Sequence, residues 1–144
     1  MLASILIIGF SFALFVYWFR YCCLLLLRTS QEQLGAVPVA RDNRFGVADV
    51  MERLRNREAL DPLHRALDRD YQVFTYLVQH AAGLELASFE DRLLLIDYKL
   101  MRLWYGVTRT AAPQQARKAL TEMASILGVL VYKMGEQAGL NSEA

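Results

Sequence analysis

Apolar and polar positions divide the chain into two regimes. From Met1 to Leu27 the sequence is almost wholly apolar, and Arg20 is its only charged residue. Beyond residue 45, apolar residues recur every three or four positions. The first pattern suits a lipid-crossing helix and the second suits amphipathic helices around a shared core. No stretch reads convincingly as a strand. The expected class is therefore all-α: one N-terminal transmembrane helix (1–28), a linker (29–45) and a small cytoplasmic helical bundle (46–144).

Leu2 to Phe19 supplies 18 residues without charge. As a helix they extend about 27 Å, close to the thickness of the hydrocarbon core. A cleaved signal would need a positive n-region, a shorter apolar core and a small-x-small site. These are missing, so the segment is expected to be a retained anchor. The nearest basic residues, Arg20, Arg28, Arg41 and Arg44, all follow the span. The positive-inside rule then predicts an outside N-terminus and a cytoplasmic remainder.

Tyr17, Trp18, Arg20, Tyr21 and Arg28 mark the expected membrane–water boundary, where amphipathic aromatics and snorkelling arginines collect. The favoured role for Arg20 is to end the span there. The alternative makes it a buried partner for a carboxylate or cofactor in a neighbouring subunit. Residues 21–27, YCCLLLL, then raise a question: if the helix continues past the headgroups, this apolar surface must be covered by the protein's own domain, a partner, or a tilted bilayer that takes in the whole run. Cys22, Cys23 and Leu24 become candidate partner contacts. Gly9 and Ala13, a small-xxx-small pair, are candidates within the span. Lipidation of Cys22 or Cys23 is the less favoured alternative to simple burial.

Gly35 and Pro38 fall in the polar linker. Four helices are expected after it. The first, Gly46 to Ala59, is short and carries Val47, Val50, Met51 and Leu54 on one face, with Arg53, Arg55 and Arg57 facing solvent or headgroups. Asp61-Pro62 reads as an N-cap with proline at the first helical position. The stripe that follows is Leu63, Leu67, Phe74, Leu77, Val78 and Ala81, closed by a Gly83 cap backed by Leu84. Ser88 to Asp91 resembles a capping box and opens a helix through LLLIDYKLMRLWYGV, apolar on most sides and so expected at the centre of the bundle or under a partner. The last helix runs from Pro113 to about Ala138 with Gly139 as its stop. Its stripe is Leu120, Met123, Leu127, Leu130, Val131 and Met134. Ala124 and Gly128 offer a point of close approach, and residues 140–144 are expected to fray.

Charge narrows the function classes. Sixteen Lys+Arg against fifteen Asp+Glu give a net charge of +1, which argues against a nucleic-acid binder. Two adjacent cysteines cannot form a disulfide framework. Arginine greatly outnumbers lysine, a hint of a GC-rich, bacterial genome. The span contains no histidine or carboxylate, so it offers neither an axial haem ligand nor a proton relay. His64 and His80 lie sixteen residues apart on one helix and so about 160° apart around its axis. Asp61, His64 and Asp68 make only half of a di-iron pattern. No cofactor and no metal is expected, and no nucleophile, P-loop or dinucleotide motif occurs. Asp97 is embedded in apolar sequence and needs a partner such as Lys99, Arg102 or a tyrosine. Tyr98, Trp104 and Tyr105 are candidate contact residues, with Trp104 the more core-like of the last two.

The expected function is a non-enzymatic, single-pass accessory or scaffold subunit of a larger membrane complex. Its partners are the lipid bilayer and other membrane subunits. A ligand-binding or enzymatic bundle with a site near Asp97, Tyr98 and Trp104 is one alternative, and a self-assembling homo-oligomer is another.

Overall fold

The computed structural model describes residues 1–33, 46–56, 59–80 and 89–143. Among them lie five helices and no strand: α1 (Leu2–Gln33), α2 (Val47–Arg55), α3 (Leu60–His80), α4 (Phe89–Ala111) and α5 (Pro113–Glu143). The all-α class and the plan of one short and three longer helices after the first match the apolar periodicity. The expected linker beyond residue 33, Arg57, Ala81, the Gly83–Leu84 cap and Ser88 lie outside the described residues.

α1 is long and apolar enough to cross a membrane, and no part of its apolar window is buried. It stops neither at Arg20 nor at residue 28. With no proline and no glycine after Gly9, nothing in the sequence breaks it before Gln33, so residues 29–33 are helix rather than linker.

α5, not α4, is the central helix. It touches each of the other four. Its predicted stripe is buried throughout, and Ala116, Ala119, Ala124, Ile126 and Val129 extend that burial to further faces. The small alanines let neighbours approach from several sides. α5 also runs through Gly139 to Glu143. A mid-helix glycine costs only about 1 kcal/mol, and no proline follows to enforce a stop.

α4 leads into α5 through a single non-helical residue, Ala112, whose carbonyl accepts from Gln115 and Ala116 N–H, both at 3.0 Å. Pro113 opens α5, where its missing N–H costs nothing. The two helices pack antiparallel. Asp91, far from the turn, meets Lys133 at 2.9 Å. Leu94, Tyr98, Met101, Tyr105 and Thr108 form the buried side of α4.

α3 buries Leu63, Leu67 and Phe74 as its periodicity predicts, with Leu77 and Val78 packed at the core's edge. Asp70 falls on the same stripe and is only 1% exposed. It accepts the Gly46 N–H at 2.7 Å just ahead of α2, while its burial pushes the carboxyl pKa upward. α2 buries Val47, Val50 and Leu54 beneath α3 and α5. Its Arg53 pairs with Asp49 at 3.0 Å, and Arg55 is exposed. Asp61 is not a cap, because α3 already begins at Leu60. Its carboxylate instead accepts the Tyr105 hydroxyl at 3.0 Å.

Candidate functional site: the junction of α1 with the bundle

The apolar surface beyond Arg20 is covered by the protein's own bundle on one side. From Val16 onward every third or fourth residue turns inward: Val16 and Arg20 partly, then Cys23, Leu27 and Ser30 fully. That is the stripe of a helix packed along one face. Cys23 is thereby buried in its own chain and is unavailable as a partner contact. Tyr21, Cys22, Leu24 and Leu25 stay outward.

The neighbour of α1 changes along its length. Val16 and Arg20 line a groove of about 410 Å³ with Leu100, Met101, Leu103, Trp104 and Val107 of α4. Leu24, Leu27, Arg28 and Gln31 instead face the first turns of α5, around Arg117 and Lys118, across a wider groove. α1 therefore crosses the α4–α5 hairpin, and α4 is the layer nearer its apolar first half.

At the crossing, Arg20 holds both helices of the hairpin. Its Nη1 donates to Asp97 Oδ1 at 2.8 Å and also to Glu122 Oε1, while Nη2 donates to Glu122 Oε2 at 2.8 Å. The planar guanidinium suits this fork in a way an ammonium would not. The Asp97 side chain is fully buried, Glu122 is 13% exposed and Arg20 is 24% exposed. One cation faces two acids, and Asp97 Oδ2 has no hydrogen-bond partner. Burial, then the charge of Glu122, pushes the Asp97 carboxyl up to about 6 against the opposing pull of Arg20. Chemically this is a polar clamp between α1 and the hairpin in which one carboxyl is held above the usual carboxylate range.

The two roles foreseen for Arg20 meet here. It sits beside Tyr17, Trp18 and Tyr21, all well exposed on α1, yet its guanidinium is taken by carboxylates of its own chain rather than a neighbouring subunit's. Asp97 is not served by Lys99, Arg102 or a tyrosine, and Arg102 pairs with Asp68 at 3.1 Å. Glu122 went unforeseen, since it sits among the polar positions of α5 and looks like an ordinary surface acid. The available signal was Arg20 as a lone charge and Asp97 as a lone acid, each set in apolar sequence.

The aromatic assignments reverse. Tyr105 is buried, stacks on His64 at 4.5 Å and, by burial first, has its hydroxyl pKa pushed up to about 12. Trp104 is 47% exposed, because it lies out of phase with the buried Leu94–Tyr98–Met101–Tyr105 series. Tyr98 is fully buried, donates to the Leu67 carbonyl at 3.1 Å and stacks on Tyr71 at 4.4 Å. Asp97 and Trp104 both neighbour Arg20, whereas Tyr98 turns away to α3. Gly9 and Ala13 are exposed, and a side chain added at Gly9 would meet nothing within 4 Å. Arg28 is exposed beside the α5 groove. Among the described residues, no group of three or more His, Cys, Asp or Glu side chains is placed to hold a metal ion. Burial lowers the His64 pKa.

Against known proteins the chain matches no family model, no curated protein and no solved structure.

Proposed function

We propose that this protein is a non-enzymatic, single-pass accessory or scaffold subunit of a larger membrane complex. Its N-terminus lies outside and its bundle sits on the cytoplasmic face, in a bacterial inner membrane. One observation carries the reading: α1 is a single unbroken helix, bare along its apolar first half and built into the bundle along its second. Such a subunit presents a fixed helical domain at a fixed place beneath the bilayer. Arg28 and the linker arginines Arg41 and Arg44 supply the positive-inside bias. The polar groups at the junction bind one another.

The test is extraction of native membranes in mild detergent, with capture on a C-terminal tag. A stoichiometric set of other membrane subunits is the expected result. Recovery as a lone, monodisperse monomer would defeat the reading and turn attention to the groove beside Arg20 and Trp104 as a ligand site. A crosslinked ladder of this chain alone would replace it with self-assembly through exposed span residues such as Gly9 and Ala13.

A further inference from the structure

α4 carries a second apolar face that the bundle does not use. Phe89, Ile96, Leu103 and Val107 are 74%, 52%, 68% and 62% exposed, and Trp104 is 47% exposed. With the partly buried Leu100 they recur at helical spacing, opposite the side that packs on α5. The strip runs the length of α4, roughly 27 Å from Phe89 to Val107. Apolar faces of that extent on a folded domain mark an interaction surface.

We propose that this face of α4 lies in the membrane–water interface, flat against the bilayer beside the emerging span. The proposal rests on the reading of α1 as a membrane anchor. Three observations select lipid as the occupant. First, the strip is continuous with the span, because Val16 of α1 shares a groove with Leu100, Leu103, Trp104 and Val107. Second, α1 crosses the hairpin, so when α1 stands upright α4 lies crosswise to it as the nearer layer, its unused face towards the bilayer. Third, the edge of the strip is cationic. Arg92 and Lys99 are exposed along one side of it, Asp91 and Asp97 are buried in ion pairs, and the third acid of α4, the exposed Glu90, lies about 100° around the helix from Phe89 on the other side. Apolar side chains with a tryptophan, bordered by long basic residues, describe a helix sunk about 5–10 Å into the headgroup–acyl boundary of anionic lipid.

The chain has two tryptophans, Trp18 and Trp104, which makes the test direct. Trp18→Phe in the full-length protein leaves Trp104 as the only emitter, and Trp104→Phe leaves Trp18. Both are reconstituted into vesicles of phosphatidylcholine and phosphatidylglycerol carrying bromines at successive acyl positions. Trp104 is expected to lose most of its emission to the shallowest bromines and to be sheltered from aqueous iodide. Leu103→Glu with Val107→Glu, both exposed positions, should abolish that quenching while far-UV circular dichroism stays unchanged. Trp104 open to iodide and untouched by bromine, with Trp18 quenched, would overturn the proposal and leave the anchor standing. Trp104 sheltered from iodide yet untouched by bromine would overturn it in favour of a protein partner or second copy. Failure of bromine to quench Trp18 would remove the anchor reading and this one with it.

Discussion

Replacing Arg20 with leucine should loosen α1 from the bundle. The substitution leaves Asp97 and Glu122 facing each other with their shared cation gone, and Asp97 has no route to water. Removing one partner of a fully buried ion pair costs about 3–5 kcal/mol, and the 24% exposure of Arg20 lowers that to about 2–3 kcal/mol. Since 1.4 kcal/mol is a factor of ten, separation of α1 from the hairpin should become about 30- to 140-fold more frequent. Cys23 reports this event directly, because it is 1% exposed and lies one turn beyond Arg20. In a Cys22→Ser background it is the only thiol, and its rate of maleimide labelling in detergent follows the opening equilibrium when reclosing is fast. Arg20→Lys keeps the charge but loses the fork and should fall between parent and leucine. Adding Asp97→Asn and Glu122→Gln to the leucine variant should slow labelling again, because no stranded charge remains. Equal labelling of parent and Arg20→Leu, with helix content preserved, would refute the idea that this clamp holds the junction.

The pH dependence follows from Asp97, whose folded pKa of about 6 exceeds the ordinary 3.8, so the folded state binds the extra proton. This contribution to stability is complete below pH about 4 and lost as pH rises through about 6. Asp97→Asn should therefore gain about 2 kcal/mol on the wild type between pH 4 and pH 7 in denaturant titrations, where a constant difference would contradict the assignment. Leu127→Ala, at a fully buried position on the central helix, should cost about 2–5 kcal/mol by the same titration, against little for Leu140→Ala at an exposed one. Gly106→Ala should stabilise by about 0.5–1 kcal/mol and raise Tm by a few degrees, since Gly106 is exposed in mid-helix and an added Cβ meets nothing.

The helices were legible because each announces itself locally. Leu120 through Met134 repeats at a helical period whatever the rest of the chain does, and all six predicted stripe positions are buried. Which helix sits at the centre was not legible, because apolar content does not say what the apolar surface meets. α4 is apolar on both sides but has one side packed on α5 and the other unused, whereas α5 hides its breadth behind alanines that a stripe count undervalues. The candidate site suffered in the same way. Arg20 and Asp97 are 77 positions apart, and only the crossing of α1 over the hairpin brings them to 2.8 Å. Asp70 likewise falls on the α3 stripe, and its partner Gly46 lies 24 residues earlier. Long-range polar pairs carry no periodicity, so a reading based on period misses them.

The order of parts along the chain decides what sets the pose of the bundle. Residues 34–45 come after the junction of α1 with α4 and α5, not between the span and that junction. The stretch from Phe19 to Leu27 contains no glycine or proline, and α1 stays helical across it. The bundle is therefore coupled to the first half of α1 through an unbroken helix and the three-way contact of Arg20, both of which precede residues 34–45 in the chain. A break inside the rigid stretch should then matter far more than added length after it. Doubling a twelve-residue segment costs only about 0.6 kcal/mol in closure entropy. A proline at Leu25, an exposed position, costs about 3 kcal/mol locally and kinks α1 between Arg20 and Leu27. Bromine quenching of Trp104 in the Trp18→Phe protein separates the two cases. A polar insertion within residues 34–45 should leave it unchanged, and Leu25→Pro should alter it, with Trp18 in the companion protein still quenched. The opposite pattern would mean that the pose is set through the later segment and that α1 serves only as a tether.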